Sequence, residues 1–185
     1  SGDAEGFESA AIRATGGDIF DITVDGGDLL PLPPAYFAAI TLAAPGRIAH
    51  TTVRNIQLGE TTHTAIGIEV AAFDGATASV QDVTLENISG AGLLLTGNSQ
   101  IIAERVTCSG VAAAVQVNGS VTAQITNVEV GHAPVGVLAQ DRSRVRINAS
   151  DAAGECMAED RALIHQDSIT FIGAGNRETV RRRAA

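Results

Sequence analysis

Ala78-Ser-Val-Gln-Asp-Val-Thr-Leu-Glu-Asn-Ile88, Ile102-Ala-Glu-Arg-Val-Thr-Cys108 and Ala123-Gln-Ile-Thr-Asn-Val-Glu-Val130 are one phrase said three times. Laying Val80 over Ala103 and Ile125 puts Val83 over Val106 and Val128, and Leu85 over Cys108 and Val130. It also brings Leu93 over Val115 and Val137. Within each phrase apolar and polar residues alternate, the signal of half-buried strands. The steps of 23 and 22 residues fall in the range where a repeat means a stacked array. No single unit of that size can bury its apolar face alone, so each must lie on the next.

Working outward, Ile40 and Leu42 read as counterparts of Ile68 and Val70, then of Leu93 and Leu95, then of Val115 and Val117. Val53-Arg-Asn-Ile56-Gln-Leu58 aligns with Val80-Gln-Asp-Val83-Thr-Leu85 at a step of 27, and the surplus is assigned mainly to an outward bulge at 71–78. Downstream, Val145 and Ile147 match Ala123 and Ile125. The pattern breaks at 150–161, a loop holding Cys156, and resumes as a last unit at 163–172. Phe7, Ala10, Ala11 and Ile12 have a loosely helical spacing, which predicts an amphipathic cap over 1–17. Three prolines at 31–34 cannot sit in a central strand, so 25–39 reads as a protruding loop carrying Tyr36 and Phe37. A single domain over 1–185 results, with a cap (1–17), about six coils (18–172) and a C-terminal tail or cap (173–185).

Composition supports an all-β core. Aromatics are 3% while apolar residues reach 45%, and a core of Val, Ile, Leu and Ala suits close, repeated layers. The net charge of −9 argues against nucleic acid or an anionic membrane as the main partner. All 12 basic residues are Arg, which reads as coding bias. No apolar run approaches the roughly 20 residues of a membrane span. The chain begins Ser-Gly-Asp, and no signal peptide is visible, so it reads as a mature or excised segment. Cys108 takes the inward place of Leu85 and Val130, which predicts a buried free thiol; a bridge to Cys156 would have to cross two coils.

Short alternating strands, three per coil of about 22 residues, with Gly67, Gly92 and Gly136 before the later strand, resemble the right-handed parallel β-helix repeat of the pectate-lyase-like superfamily. The resemblance covers about residues 40–172 and implies a solenoid. It implies several functions at once, from polysaccharide lyases, hydrolases and epimerases to surface proteins without activity. The enzymes' local motifs match only in part: Gly131-His132-Ala133 has one half of a Gly-His-Gly, no paired aspartates occur and there is no Lys. Asp18, Asp21, Asp25 and Asp28 lie in a turn-rich stretch and not on stacked strands.

Several constellations stand out from the repeat. Arg142, Arg144 and Arg146 alternate with Ser143, Val145 and Ile147, so three guanidiniums line up on an outer face if the latter point inward. Such a row can grip a polyanionic glycan or an acidic partner, or simply block edge pairing. Asn55, Asp82, Arg105 and Asn127 align as one turn column, a structural ladder with Asp82 and Arg105 placed to pair. Tyr36, Phe37 and Phe73 on inserted loops either stack on sugar rings or pack on the coils. An acid or base, if one exists, is best sought at His63 with Glu60, or His132 with Glu129. His spacing offers no metal site, and no cofactor is expected.

The expectation is therefore a non-catalytic, extracytoplasmic β-helix: a rigid scaffold or a surface-binding, adhesion module with a polysaccharide or protein partner, able to form oligomers through coil ends or loops. The alternative is a small lyase, hydrolase or epimerase on an acidic glycan, using His63, Glu60 and the arginine row.

Overall fold

The computed structural model describes residues 8–27, 36–43, 45–58, 64–148, 155–166, 169–172 and 178–179. All its regular elements are strands: β1 (Glu8–Ala14), β2 (Gly17–Phe20), β3 (Thr23–Asp25), β4 (Tyr36–Leu42), β5 (Gly46–Ile56), β6 (Thr64–Ala72), β7 (Thr77–Gly97), β8 (Gln100–Val117), β9 (Thr122–Val130), β10 (Val135–Ala139), β11 (Arg144–Asn148), β12 (Glu155–Ala158), β13 (Leu163–Gln166), β14 (Ile169–Ile172) and β15 (Glu178–Thr179). They join in one large, mostly parallel sheet. No helix among the described residues is long and apolar enough to cross a membrane.

Three registered sets of strands run through the stack. The first carries Ile19, Ile48, Val80, Ala103, Ile125 and Ile147 side by side. The second carries Val24, Val53, Leu85, Cys108 and Val130. The third carries Ile40, Ile68, Leu93, Val115, Val137 and Cys156. The three columns converge on one core in which nearly every member is fully buried. Each fully buried aliphatic side chain contributes roughly 1.5–3 kcal/mol, so alternation along each strand suffices to fix its inward face.

Corners between the first and second sets need a left-handed residue. Asp21, His50, Asp82, Arg105 and Asn127 all take it, with φ between 51° and 54°. Gly67 and Gly92, beside Ala39 and Ala114, form the small column that lets the third set approach the others. A Cβ on Gly67 would stand 2.6 Å from the Gly92 carbonyl oxygen and 2.7 Å from Ile88 Cδ1.

The structure confirms the repeat downstream of Ala78 and corrects the reading around it. Ile48, not Val53, lies beside Val80, and Val53 lies beside Leu85. The inward spacing i, i+3, i+5 fits Ile48-x-x-Thr51-x-Val53 as well as Val53-x-x-Ile56-x-Leu58. Thr51 disguised the true match, because its hydroxyl is buried by donating to the Ala49 carbonyl oxygen at 3.0 Å. Asn55 consequently leaves the corner column of Asp82 and aligns with Asn87 and Gly110 at the next corner. The register also moves the insertion. Ile56 to Ile66 takes ten residues where Ile88 to Ala91 takes three, whereas the 73–77 turn is only two residues longer than its successor. The main surplus is thus at 57–65 and not at 71–78.

Residues 8–14, expected as part of a helical cap, are strand β1, parallel to β4. Half-buried Ala10, Ile12 and Ala14 alternate with exposed Ala11 and Arg13, and alanine's neutrality had hidden that period. Tyr36 and Phe37, expected on a loop, open strand β4. Cys156, also expected on a loop, sits in β12 beside Val137. Neither cysteine forms a disulfide, and both are buried. At the C-terminal end β14 pairs antiparallel with β13, and β15 antiparallel with β12.

Candidate functional site

Strand β11 and the turn before it place Arg142, Arg144 and Arg146 outward, because Ser143, Val145 and Ile147 between them are buried. All three arginines are exposed. The next repeat adds to the row. Arg144 pairs in register with Leu163 and Arg146 with His165, and the backbone N–H of Arg161 bonds to the Asp141 carbonyl at 2.9 Å, which sets Arg161 beside Arg142. On the other side lie Ser120, Thr122 and Gln124, all exposed. Outward positions thus form a grid, about 6.8 Å apart along a strand and about 4.8 Å between strands.

Carboxylates near this grid are occupied elsewhere. Asp141 accepts from the backbone N–H of Gly119 at 2.8 Å, and Asp160 from that of Asp141 at 3.3 Å. Glu159 accepts from Gln140 Nε2 at 2.7 Å, and Gln140 in turn accepts from Gln116. Among the described residues Arg142, Arg144, Arg146 and Arg161 make no ion pair. Adjacent like charges on neighbouring strands disfavour the fold slightly. An external anion would relieve that repulsion.

Comparison with protein-family models, with curated proteins and with solved structures gave no match. The chemistry of the surface therefore rests on its own residues. Two polar ladders run along the corners. Arg105 clamps Asp82 through Nε and through Nη2 at 2.9 Å, with His50 Nδ1 3.9 Å from the same carboxylate. The Arg105 hydrogen bond holds Asp82 below the usual carboxylate range and raises the guanidinium's own pKa. In the second ladder Asn87 Nδ2 donates to Asn55 Oδ1 at 2.9 Å, and Asn55 Nδ2 to Asp25 Oδ1 at 3.0 Å. Asp25 is held low by Asn55, then by the Gly27 N–H and by Arg54. Asp82 and Arg105, and Asp25, Asn55 and Asn87, are each bonded to a neighbouring repeat, so these groups serve the stack.

Tyr36 packs against a small cluster of Ala38, Ile66, Ala91 and Leu94, and Phe37 against the main core. Neither is offered as an open stacking platform. Phe73, in the turn after β6, is 53% exposed. Glu129, on the second strand set, and His132, in the turn after it, are both exposed. Glu60 and His63 lie outside the described residues, within the inserted 57–65 segment. No group of three His, Cys, Asp or Glu residues that could hold a metal occurs among the described residues. Sequence reading found three of the four grid arginines and missed Arg161 and His165. Their signal was present: Arg161-x-Leu163-x-His165 repeats the alternation of the row one unit on.

Proposed function

We propose that this chain is a right-handed parallel β-helix of about six coils, of the pectate-lyase-like kind, acting as a non-catalytic module: a rigid scaffold and surface-binding or adhesion domain. The observation that carries this reading is the grid of Arg142, Arg144, Arg146 and Arg161, held on registered strands and unpaired among the described residues. A flat, charged, preorganised surface suits binding without turnover. The extracytoplasmic setting belongs to this reading and rests on the resemblance alone. The test is incubation with a panel of uronate-containing polysaccharides, read by absorbance of unsaturated products and by reducing ends. The module reading expects no product; turnover abolished by His63→Ala overturns it.

One observation favours a second reading, a small lyase, hydrolase or epimerase on an acidic glycan. The insertion at 57–65 lengthens its corner by seven residues over the next repeat, and it holds both Glu60 and His63. Function concentrates on such insertions. In that case Glu60 and His63 supply the acid or base, and the same panel decides.

A further inference from the structure

The charge of this chain is unevenly spread along its stack. Residues 1–45 contain seven acidic residues and one arginine, whereas residues 142–185 contain eight arginines and six acidic residues. Among the described residues, the register sets an exposed acidic pair and the arginine grid in separate repeats. A single outward column runs Asp18, Arg47, Ser79, Ile102, Gln124, Arg146, His165. Asp18 and Asp21 stand exposed at one end, and the basic grid at the other.

Six strand-to-strand steps separate Asp18 from His165, about 29 Å at 4.8 Å per step. That exceeds the Debye length of about 8 Å at physiological ionic strength several times over. The rigid stack therefore keeps the grid away from the chain's own acidic end. Asp21 makes no ion pair among the described residues, and Asp18 receives only the backbone N–H of Arg47 at 3.0 Å. Each molecule presents an acidic patch and a basic patch that it cannot bring together.

We propose that the partner of the basic grid is a second copy of this chain, whose acidic N-terminal repeat docks on Arg142, Arg144, Arg146 and Arg161. The two patches differ, so the contact is heterologous and propagates into open chains or closes into a ring. This deepens the binding-module reading, on which it rests, by naming what the grid binds.

Sedimentation velocity over a wide concentration range, at low and high salt, tests it. Wild-type protein is expected to form salt-sensitive oligomers, association weakening at least about tenfold as screening increases. Arg142→Glu/Arg144→Glu/Arg146→Glu makes both ends acidic, and Asp18→Lys/Asp21→Lys makes both basic. Each variant alone is expected to stay monomeric, and their equimolar mixture to form a complex. Circular dichroism melts confirm that each variant is folded; should one fail to fold, Arg144→Glu and Asp21→Lys singly replace the multiple variants. A wild-type chain that stays monomeric at low salt overturns the proposal, as does an oligomer that survives the arginine reversal. A monomer that binds polyuronate through the same arginines gives the grid to a glycan and leaves the module reading standing; turnover in the polysaccharide panel removes that reading instead.

Discussion

Arg105 sits one repeat beyond Asp82 and grips both oxygens of its carboxylate, and the two share a backbone conformation, φ 53° and 51°. His50, whose Nδ1 lies 3.9 Å from the same carboxylate, shares it too, as do Asp21 and Asn127, which take no part in the pairing. The corner is thus a backbone requirement on which side-chain pairing was added.

Asn127 isolates that requirement. Its φ of 53° is in the left-handed region, which a β-branched residue adopts poorly. Asn127→Val is expected to lower stability by about 1–2 kcal/mol. For a chain of this size each kcal/mol corresponds to about 2–4 °C in Tm. Asn127→Gly should leave Tm nearly unchanged. Thermal melts compare the two, and equal losses would show that the side chain, not φ, sets the corner.

Acid should weaken the two corner ladders. Asp25 and Asp82 are both held below their ordinary value of 3.8. A carboxylate depressed in the folded state contributes stability that is full above the unfolded value and is lost as pH falls through the folded one. Tm should therefore drop below about pH 4. Asp25→Asn/Asp82→Asn is expected to shallow that drop. An unchanged slope in calorimetric scans would put the acid sensitivity elsewhere.

Two buried serines at equivalent positions should respond oppositely to alanine. Ser99 and Ser143 are 3% and 0% exposed. Ser143 Oγ donates to the Gln140 carbonyl at 2.8 Å, whereas Ser99 Oγ has no hydrogen bond among the described residues. Ser143→Ala should cost about 1 kcal/mol, and Ser99→Ala should be neutral or stabilising. Chemical denaturation of both variants separates these outcomes; a loss at Ser99 would reveal a partner for its hydroxyl.

Cys108 should be chemically silent in the native protein. Burial pushes its thiol up to about 12, and Sγ lies 3.6 Å from the Ala114 carbonyl oxygen. In a Cys156→Ala background, alkylation at pH 8 is expected only on unfolding, at a rate tracking global opening. Rapid labelling without loss of structure would mean the core opens locally there.

The middle of the stack was legible because Val80, Ala103 and Ile125 recur with nothing inserted between their units. Legibility failed where small or polar residues took inward places. Thr51 takes the inward place that Val83, Val106 and Val128 hold in later repeats, and its polarity shifted one repeat by five residues, from Val53 to Ile48 beside Val80. Ala10 and Ala14 concealed strand β1, and Cys156 with Ala158 concealed β12. The arginine row was readable from alternation alone. Its enlargement by Arg161 and His165 needed the pairing of β11 with β13, since the shorter step of 19 residues from Val145 to Ile164 broke the expected period.

The antiparallel strands β14 and β15 reverse chain direction after a run of parallel neighbours. They act as a stop whose position does not depend on how many units precede it. The molecule's length is therefore quantised: removing or duplicating one 22-residue unit between Ile101 and Val145 should change it by a single strand spacing of about 4.8 Å while both ends keep their chemistry. Such a chain is a gauge, and gene-level gain or loss of units would set the distance between whatever its two ends hold.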